Sequence, residues 1–296
     1  MTVLEVITRS TDFLAKRGVE APRLQTELLL AHVLQLPRMQ IYLQFERRLT
    51  ESELSRLRGL VQRRGQREPL QHLTGSTSFC GLEIAVNRSV LIPRPETELL
   101  AEAGWQFLCT RSCAAVSALD VGTGSGCIAI ALAAKCATAR IVATDISRDA
   151  LELARLNAAK NQVRAAIEFR QGNGLEVLQP GEAFDLVISN PPYIPTQEIV
   201  TLQTEVREYD PHPALDGGAD GLDFYRRLAT QAGSFLHPDG RLMVEFGAGQ
   251  AAALREIFSS QQWSIVAIHK DYSGHERILV ADRGGSGPSE GIEVRD

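Results

Sequence analysis

The loop Asn190-Pro191-Pro192-Tyr193 carries residues whose types and spacing point to a particular chemistry. An amide nitrogen is a poor nucleophile because its lone pair is delocalised into the carbonyl. A protein can activate it by accepting hydrogen bonds from both N–H groups. The Asn190 side-chain oxygen is one acceptor, and the Pro191 carbonyl is the other, because Pro192 restricts residue 191 to an extended conformation. Tyr193 can stack on the flat group, so the loop predicts a site for a planar amide or amine nitrogen.

A glycine-rich loop at residues 122–126 predicts a second site, for a nucleoside cofactor. Its residues are Gly122, Thr123, Gly124, Ser125 and Gly126. The third glycine comes one residue too early for a dinucleotide fingerprint. Asp120 would repel a pyrophosphate but suits a cation such as a sulfonium, and Asp145, about twenty residues on, can accept hydrogen bonds from ribose hydroxyls. These features favour S-adenosylmethionine over NAD, and with it methyl transfer.

Both loops need a scaffold that brings them together, and the apolar pattern predicts one. The predicted strands are 116–121, 140–144, 166–170, 184–189, 241–246 and 263–269, and the predicted helices are 128–134 and 147–161. Such alternation indicates a mostly parallel sheet covered by helices, whose ligands bind at the carboxyl ends of the strands. Each loop follows a strand, so we expect the two loops to meet at that edge.

The first 73 residues have the pattern of a small helical bundle. Pro22 is predicted at the first position of a helix, and Thr50 with Glu53 is predicted to form a capping box. The last helix carries five arginines, which are Arg56, Arg58, Arg63, Arg64 and Arg67. They indicate either a solvated helix face or contact with an acidic or RNA-bearing partner. Alternating apolar residues over 79–91 then predict a hairpin that joins the bundle to the sheet.

Composition and charge narrow the class of protein. The chain has 296 residues and a net charge of −5, which argues against a protein that coats nucleic acid. The N-terminus lacks the basic region of a signal peptide, and no apolar run is long enough to span a bilayer. The five cysteines show no metal-site spacing. We therefore expect a cytoplasmic monomer that binds neither metal nor membrane.

The two loops, in this order, resemble those of the glutamine methyltransferases that modify peptide-chain release factors, the PrmC/HemK family. Further segments carry the same resemblance, which covers residues 5 to 282; they are 69–75, 79–82, 90–98, 214–218, 220–226 and 245–247. The resemblance implies a seven-stranded class I methyltransferase sheet with a Rossmann-like α/β fold behind an N-terminal helical bundle. It implies a helical substrate-recognition domain over 1–74, a hairpin linker over 75–92 and a catalytic domain over 93–282. The tail over 283–296 is rich in Gly, Ser and Glu, a composition typical of disorder.

The resemblance also implies the substrate and the roles of the site residues. The substrate would be the glutamine of the Gly-Gly-Gln loop in class I release factors, methylated on its side-chain nitrogen. The glycine loop (Gly122, Thr123, Gly124, Ser125 and Gly126), Asp145 and Asn190 would contact S-adenosylmethionine. The loop from Asn190 to Tyr193 would hold the glutamine. Asn173 would stand near the adenine, where the family often has an acidic residue.

The residues are also compatible with two other functions. A nucleic-acid N6-adenine methyltransferase would use the same loop chemistry, but it must extrude its base and bind phosphates. The stretch after Tyr193 contains five acidic residues that would repel phosphates, which are Glu198, Glu205, Glu208, Asp210 and Asp216. A non-catalytic binding module is the other alternative, and the intact set of Asp120, Asp145 and Asn190 argues against it.

Overall fold

The structure, a computed structural model, describes residues 1–111 and 115–284. Most of the predicted disordered tail, residues 285–296, lies outside the described residues. The chain divides into two compact units. A helical unit comprises Met1–Ser76 and Gln203–Tyr209, and a sheet unit comprises Thr77–Leu202 and Asp210–Asp296. Within the described part of the chain, no helix is both long and apolar enough to cross a bilayer.

The helical unit begins with short α-helices joined by turns. They are α1 (Val3–Lys16), α2 (Pro22–Leu34), α3 (Arg38–Ile41), α4 (Glu51–Gly65) and α5 (Leu70–Thr74), with a 3₁₀ turn at Tyr42–Gln44. Two predicted helix starts are confirmed: Pro22 is the first residue of α2, and Thr50 and Glu53 form the capping box of α4. The capping box provides hydrogen-bond partners for main-chain N–H groups at the start of α4, which have no partner within the helix.

Buried apolar side chains from these helices form the core of the helical unit. Val3, Ile7 and Leu14 of α1 pack with Leu29 of α2 and Leu57 of α4. Burial of each such side chain contributes about 1.5–3 kcal/mol relative to an exposed position. The bundle is therefore stabilised by its own core.

The end of α4 supplies arginines to ion pairs inside the helical unit. Arg64 is only 3% exposed, and its Nη2 donates to Glu205 Oε1 over 2.8 Å. Arg67 donates from Nε and Nη2 to the two carboxylate oxygens of Glu205, over 2.6 and 2.7 Å. Arg63 is paired with Glu68, with an Nη2–Oε1 distance of 2.6 Å. Arg64 and Arg67 thus bind a carboxylate of the same unit, whereas Arg63 is exposed and fits the solvated helix face.

A two-stranded hairpin follows the first helices. Its strands are β1 (Ser76–Phe79) and β2 (Leu82–Ala85), joined by Cys80 and Gly81 with φ angles of 51° and 78°. Two successive residues in the left-handed region match the twist of a tight hairpin. The hairpin predicted over 79–91 is confirmed, but its strands begin and end earlier. Asn87 explains the early end, because its Oδ1 accepts the main-chain N–H two residues later over 2.8 Å.

The rest of the chain alternates helices and strands. The elements are α6 (Pro95–Thr110), β3 (Val116–Val121), α7 (Cys127–Lys135), β4 (Ala139–Asp145), α8 (Arg148–Lys160), β5 (Ile167–Gln171), β6 (Phe184–Ser189), α9 (Thr204–Arg207, in the helical unit), α10 (Asp223–Gln231), β7 (Leu236–Glu245), α11 (Ala251–Ser260), β8 (Ser264–Lys270) and β9 (Glu276–Asp282). The 3₁₀ turns are Arg164–Ala166, Thr196–Thr201, His212–Ala214 and Ala232–Phe235.

The strands form a seven-stranded sheet in the order β5-β4-β3-β6-β7-β9-β8. Neighbours from β5 through β7 are parallel, whereas β9 runs antiparallel to both β7 and β8. This confirms the predicted mostly parallel α/β sheet. Asp120 of β3 lies opposite Ala143 of β4 and Ile188 of β6, so the loops that follow these three strands share one edge.

The apolar pattern locates β3 and β6 at their observed bounds but does not locate β9. The seven-stranded sheet that the resemblance implies is confirmed, and β9 is the strand that the pattern misses. It opens with Glu276 and Arg277, and charged residues at a strand start weaken an apolar pattern. β7 begins at Leu236 rather than at the predicted residue 241. The prediction placed the start too late because Pro238-Asp239-Gly240 is a sequence typical of turns.

Helices cover both faces of the sheet. Leu186 and Ile188 of β6 belong to an apolar cluster with α6 and α7, whereas Val187 belongs to a second cluster with α10 and α11. Successive side chains of a strand point to opposite faces, so β6 is buried on both. The loop that follows β6 is therefore anchored by a rigid central strand.

Candidate functional site

The glycine loop joins β3 to α7 and has the conformation that its glycines permit. Gly122, Gly124 and Gly126 have φ angles of 74°, 55° and 81°, in the left-handed region. A Cβ added at Gly126 would stand 3.0 Å from the Ala154 Cβ of α8. Glycine at that position thus allows α7 to start close against α8, while Gly122 and Gly124 leave the main chain open to a ligand.

Asp145, the last residue of β4, fixes the glycine loop by hydrogen bonds to main-chain N–H groups. Its Oδ2 accepts the Gly124 N–H, and its Oδ1 accepts the Ser147 N–H, each over 2.8 Å. Burial raises the pKa of the Asp145 carboxyl, and these main-chain hydrogen bonds oppose the rise. Each carboxylate oxygen has a further lone pair. Asp145 can therefore fix the loop and still accept hydrogen bonds from a ligand.

Asp120 is buried beneath the loop and does not line the cavity described below. Its Oδ2 accepts hydrogen bonds from Thr123 Oγ1 over 2.6 Å and from the Ala129 N–H over 3.2 Å. Its Oδ1 has no hydrogen-bond partner among the residues that the structure describes. Burial raises the pKa of Asp120 to about 7, against an ordinary value of 3.8. The sequence suggested that Asp120 faces a cationic ligand, but the structure shows it as a support of Thr123.

We expect Asp120→Asn to change how stability depends on pH. The folded protein keeps a proton on Asp120 up to about pH 7, whereas the unfolded chain loses it near the ordinary value of 3.8. Ionisation therefore opposes folding increasingly as pH rises through this window. The variant should gain about 1.4 kcal/mol in unfolding free energy per pH unit, relative to wild type, between about pH 5 and 7. Denaturant titrations across this range would measure the gain, and a constant difference would contradict the burial argument.

A cavity of about 570 Å³ opens at the carboxyl edge of the sheet. Most of the predicted site residues line it, namely Gly122, Thr123, Gly124, Ser125, Asp145, Asn173, Asn190 and Pro192. Gly126, Pro191 and Tyr193 are not among its lining residues. The two loops thus meet in one cavity, which is within the usual size range for a small-molecule site.

Asn190 follows β6, and its side-chain amide has a defined orientation. Asn190 Nδ2 donates to Thr97 Oγ1 over 3.0 Å, and both residues line the cavity. Since the amide nitrogen binds Thr97, the Oδ1 atom is left to accept hydrogen bonds from a ligand. Thr97 is in the first turn of α6, 93 residues before Asn190. No spacing rule connects two residues so far apart, so this contact could not be predicted from the sequence.

Glu245, the last residue of β7, is a buried carboxyl that does not line the cavity. It is 2% exposed, and its Oε2 has no hydrogen-bond partner within the described ranges. Burial raises the pKa of Glu245 to about 7. The nearby Thr97 side chain and the charges of Arg277 and Arg94 oppose the rise, and the Glu96 charge adds to it.

Asn173 is less available to a ligand than the sequence suggested. Its Oδ1, the atom expected to meet an adenine amino group, accepts from Arg227 Nη1 over 3.3 Å. Its Nδ2 donates to Glu176 Oε1 over 3.0 Å. Arg227 also lies over the ring of Phe224, with 4.9 Å from Cζ to the ring centroid. Asn173 lines the cavity, with its amide already bound on both sides.

Tyr193 is packed more deeply than a freely stacking aromatic ring would be. The ring is partly buried against an apolar cluster that includes Phe246, and burial raises the pKa of the phenol to about 12. Gln250 Nε2 donates to the Tyr193 carbonyl over 2.9 Å. These contacts hold the loop that begins at Asn190 in one conformation.

The acidic residues after Tyr193 are largely paired within the protein. Glu205 binds Arg64 and Arg67, Glu208 binds Arg207 over 2.8 Å, and Asp210 binds Arg94 over 2.6 Å. Asp216 Oδ1 accepts from Thr196 and from the Gly218 N–H. The charge repulsion that the sequence predicts for a nucleic acid is therefore weaker than the count of acidic residues suggests.

Two family models match the chain. The model described as the PrmC N-terminal domain matches residues 5–75, and the model described as the methyltransferase small domain matches residues 101–206. The first covers the start of the helical unit, and the second covers the glycine loop and the loop after β6.

Curated relatives match over nearly the full length. A protein of Geobacter sulfurreducens named release factor glutamine methyltransferase is 44% identical over 94% of this chain and 95% of its own. One of the same name from Chlorobaculum tepidum is 42% identical over 94% and 96%. A bifunctional methyltransferase of Rickettsia felis is 34% identical over 94% of this chain and 58% of its own length.

Solved structures share the fold at low identity. A methyltransferase from Pyrococcus furiosus has a TM-score of 0.51 and 21% identity, over 70% of this chain and 91% of its own. The hMettl16 catalytic domain, solved in complex with the MAT2A 3'UTR hairpin 6, has a TM-score of 0.54 and 16% identity, over 80% and 83%. At such identities the likeness shows a methyltransferase fold and no substrate.

Proposed function

This chain belongs to the family of release factor glutamine methyltransferases, and we propose that it methylates a release factor in the way its relatives' name describes. The substrate is the side-chain amide nitrogen of the glutamine in the Gly-Gly-Gln loop of a class I release factor, and the methyl donor is S-adenosylmethionine. The observation that carries the proposal is the Asn190 amide, held by Thr97 with its oxygen free in a cavity shared with the glycine loop.

The residues around the glycine loop fit the proposed methyl donor. Gly122 and Gly124 leave the main chain open to a ligand, and both line the cavity. Asp145 is fixed at the end of β4 with lone pairs left for ribose hydroxyls. The cavity volume of about 570 Å³ accommodates a nucleoside with an amino-acid chain and a glutamine side chain beside it. We assign donor binding to the glycine loop and Asp145. Asn173 lines the same cavity, and we assign it no contact with the donor.

The protein's part in the reaction is to hold and polarise the amide. Asn190 Oδ1 and the Pro191 carbonyl accept the two N–H hydrogens of the glutamine, which localises electron density on its nitrogen. S-adenosylmethionine, held by the glycine loop and Asp145, would supply a methyl group on a cationic sulfur. The amide nitrogen held by Asn190 and Pro191 would accept this methyl group and release one proton to solvent. Orientation and desolvation contribute most of the rate enhancement, because no strong base is required.

The helical unit is proposed to recognise the release factor. In this proposal residues 1–74 are the recognition domain, residues 75–92 are the hairpin linker and residues 93–282 are the catalytic domain. The proposal rests on the independent core of the bundle and on the separate family model for residues 5–75. Arg56 and Arg58 on α4 are exposed and are the first candidates for contact with the partner.

Mass spectrometry of a labelled release factor tests the proposed function. The protein is incubated with methyl-labelled S-adenosylmethionine and a class I release factor, and the added mass is located in peptides. We expect one methyl group on the glutamine of the Gly-Gly-Gln loop. A release factor with that glutamine changed to alanine is the control and should take up no label. Label on adenine of added DNA or RNA, or no transfer to the release factor, would overturn the proposal.

A further inference from the structure

A buried threonine holds the Asn190 side chain beside the cavity. Asn190 follows β6, and Thr97 is in the first turn of α6. Asn190 Nδ2 donates to Thr97 Oγ1 over 3.0 Å. Thr97 is 2% exposed, which limits competition from water for this bond.

The hydrogen bond gives the Asn190 amide a defined orientation. The Thr97 hydroxyl oxygen accepts the Asn190 N–H. The oxygen and nitrogen of an asparagine amide have nearly the same size and shape, so packing alone does not distinguish its two orientations. The hydrogen bond to Thr97 does distinguish them.

We propose that Thr97 is a positioning residue that holds the Asn190 amide with its oxygen toward the substrate nitrogen. This inference rests on the proposed function, because it concerns the acceptor for the glutamine N–H group. The opposite orientation would present an NH₂ group to the substrate. Two facing N–H donors cannot bond, and the substrate lone pair would then be held less well.

Thr97→Val is the variant that isolates this role. Valine has the shape of threonine but no hydroxyl, so the packing of α6 is kept while the acceptor for Asn190 is lost. An unpaired buried N–H is less well tolerated than an unpaired carbonyl, so the Asn190 amide should turn its nitrogen to the cavity. We expect kcat for glutamine methylation to fall about 10-fold. The dissociation constant of S-adenosylmethionine should change by less than about twofold.

Thr97→Ser is the matched control, because serine keeps the hydroxyl and loses only a methyl group. It should retain most of the wild-type kcat. An unchanged kcat in Thr97→Val would overturn the proposal. So would equal losses in the valine and serine variants, since these would indicate a packing effect.

A readout without turnover separates this inference from the proposed function. In deuterated, methyl-labelled protein, NMR should show cross peaks between the Asn190 NH₂ hydrogens and the Thr97 methyl group. Thr97→Val keeps a methyl group at this place, so loss of the cross peak would report the turned amide. If wild type transfers no methyl group but shows this change, the proposed function fails and the positioning stands. If the cross peak is absent from wild type, the positioning fails whatever the activity.

Discussion

Replacing Asn190 with alanine is expected to lower methyl transfer to the release factor by roughly 10²–10³-fold, the scale for one oriented transition-state hydrogen bond. The Asn190 amide nitrogen is bound to Thr97, and its oxygen accepts no hydrogen bond from the residues that the structure describes. The residues assigned to the methyl donor are in other loops, so its dissociation constant should change little. Single-turnover kinetics and calorimetry on the same preparation would measure the two effects.

Asn161→Ala is a suitable control for the Asn190 variant. The Asn161 side chain donates to the Glu83 and Asn157 carbonyls, each over 3.0 Å, and does not line the cavity. Its loss should leave kcat close to wild type. Turnover of Asn190→Ala near the wild-type rate would remove Asn190 from the proposed mechanism.

Replacing Asp145 with alanine is expected to weaken binding of S-adenosylmethionine by roughly 10²-fold or more, because hydrogen bonds to a charged group each contribute about 1.5–3 kcal/mol. The carboxylate has two functions in the structure. It offers lone pairs toward the cavity, and it anchors the N–H groups of Gly124 and Ser147. Alanine loses both, whereas Asp145→Asn keeps one acceptor oxygen and should have a smaller effect. Isothermal titration would give the dissociation constants.

Asp149 provides the control for the Asp145 variant. It is an exposed carboxylate that lines the same cavity, at the start of α8. Asp149→Ala tests whether any negative charge at the rim attracts the cationic donor. We expect a change of less than about threefold, the scale for an exposed charge. Equal weakening in the two variants would show a general charge effect and contradict a specific role for Asp145.

The fold was predictable because it depends on local patterns. Five of the six residues of the strand Phe184–Ser189 are apolar or small, and the capping box of Thr50 and Glu53 is confined to four positions. Such signals are read from neighbouring residues. The antiparallel strand Glu276–Asp282 was missed because its first residues are charged, and its place in the sheet depends on pairing with β7.

The loops of the site could be predicted from the sequence, but the residues that pack against those loops could not. Asn190 and Asp145 each end or follow a strand, so the parallel sheet brings them to one edge without further information. Thr97 could not be assigned, because its contact with Asn190 depends on how α6 packs against β6. The same limit applied to Asn173, whose carbonyl is bound by Arg227 of α10, a helix far along the chain.

The segment Gln203–Tyr209 has a consequence for exchanging parts between relatives. It belongs to the helical unit although it is separated from the first helices by more than a hundred residues of sequence. A chimera that takes residues 1–76 from one relative and the remainder from another would combine Arg64 and Arg67 with a foreign partner at position 205. Removing the partner of a buried charge costs about 3–5 kcal/mol. The bundle is therefore inherited as two pieces of chain, and recombination must transfer both to yield a stable hybrid.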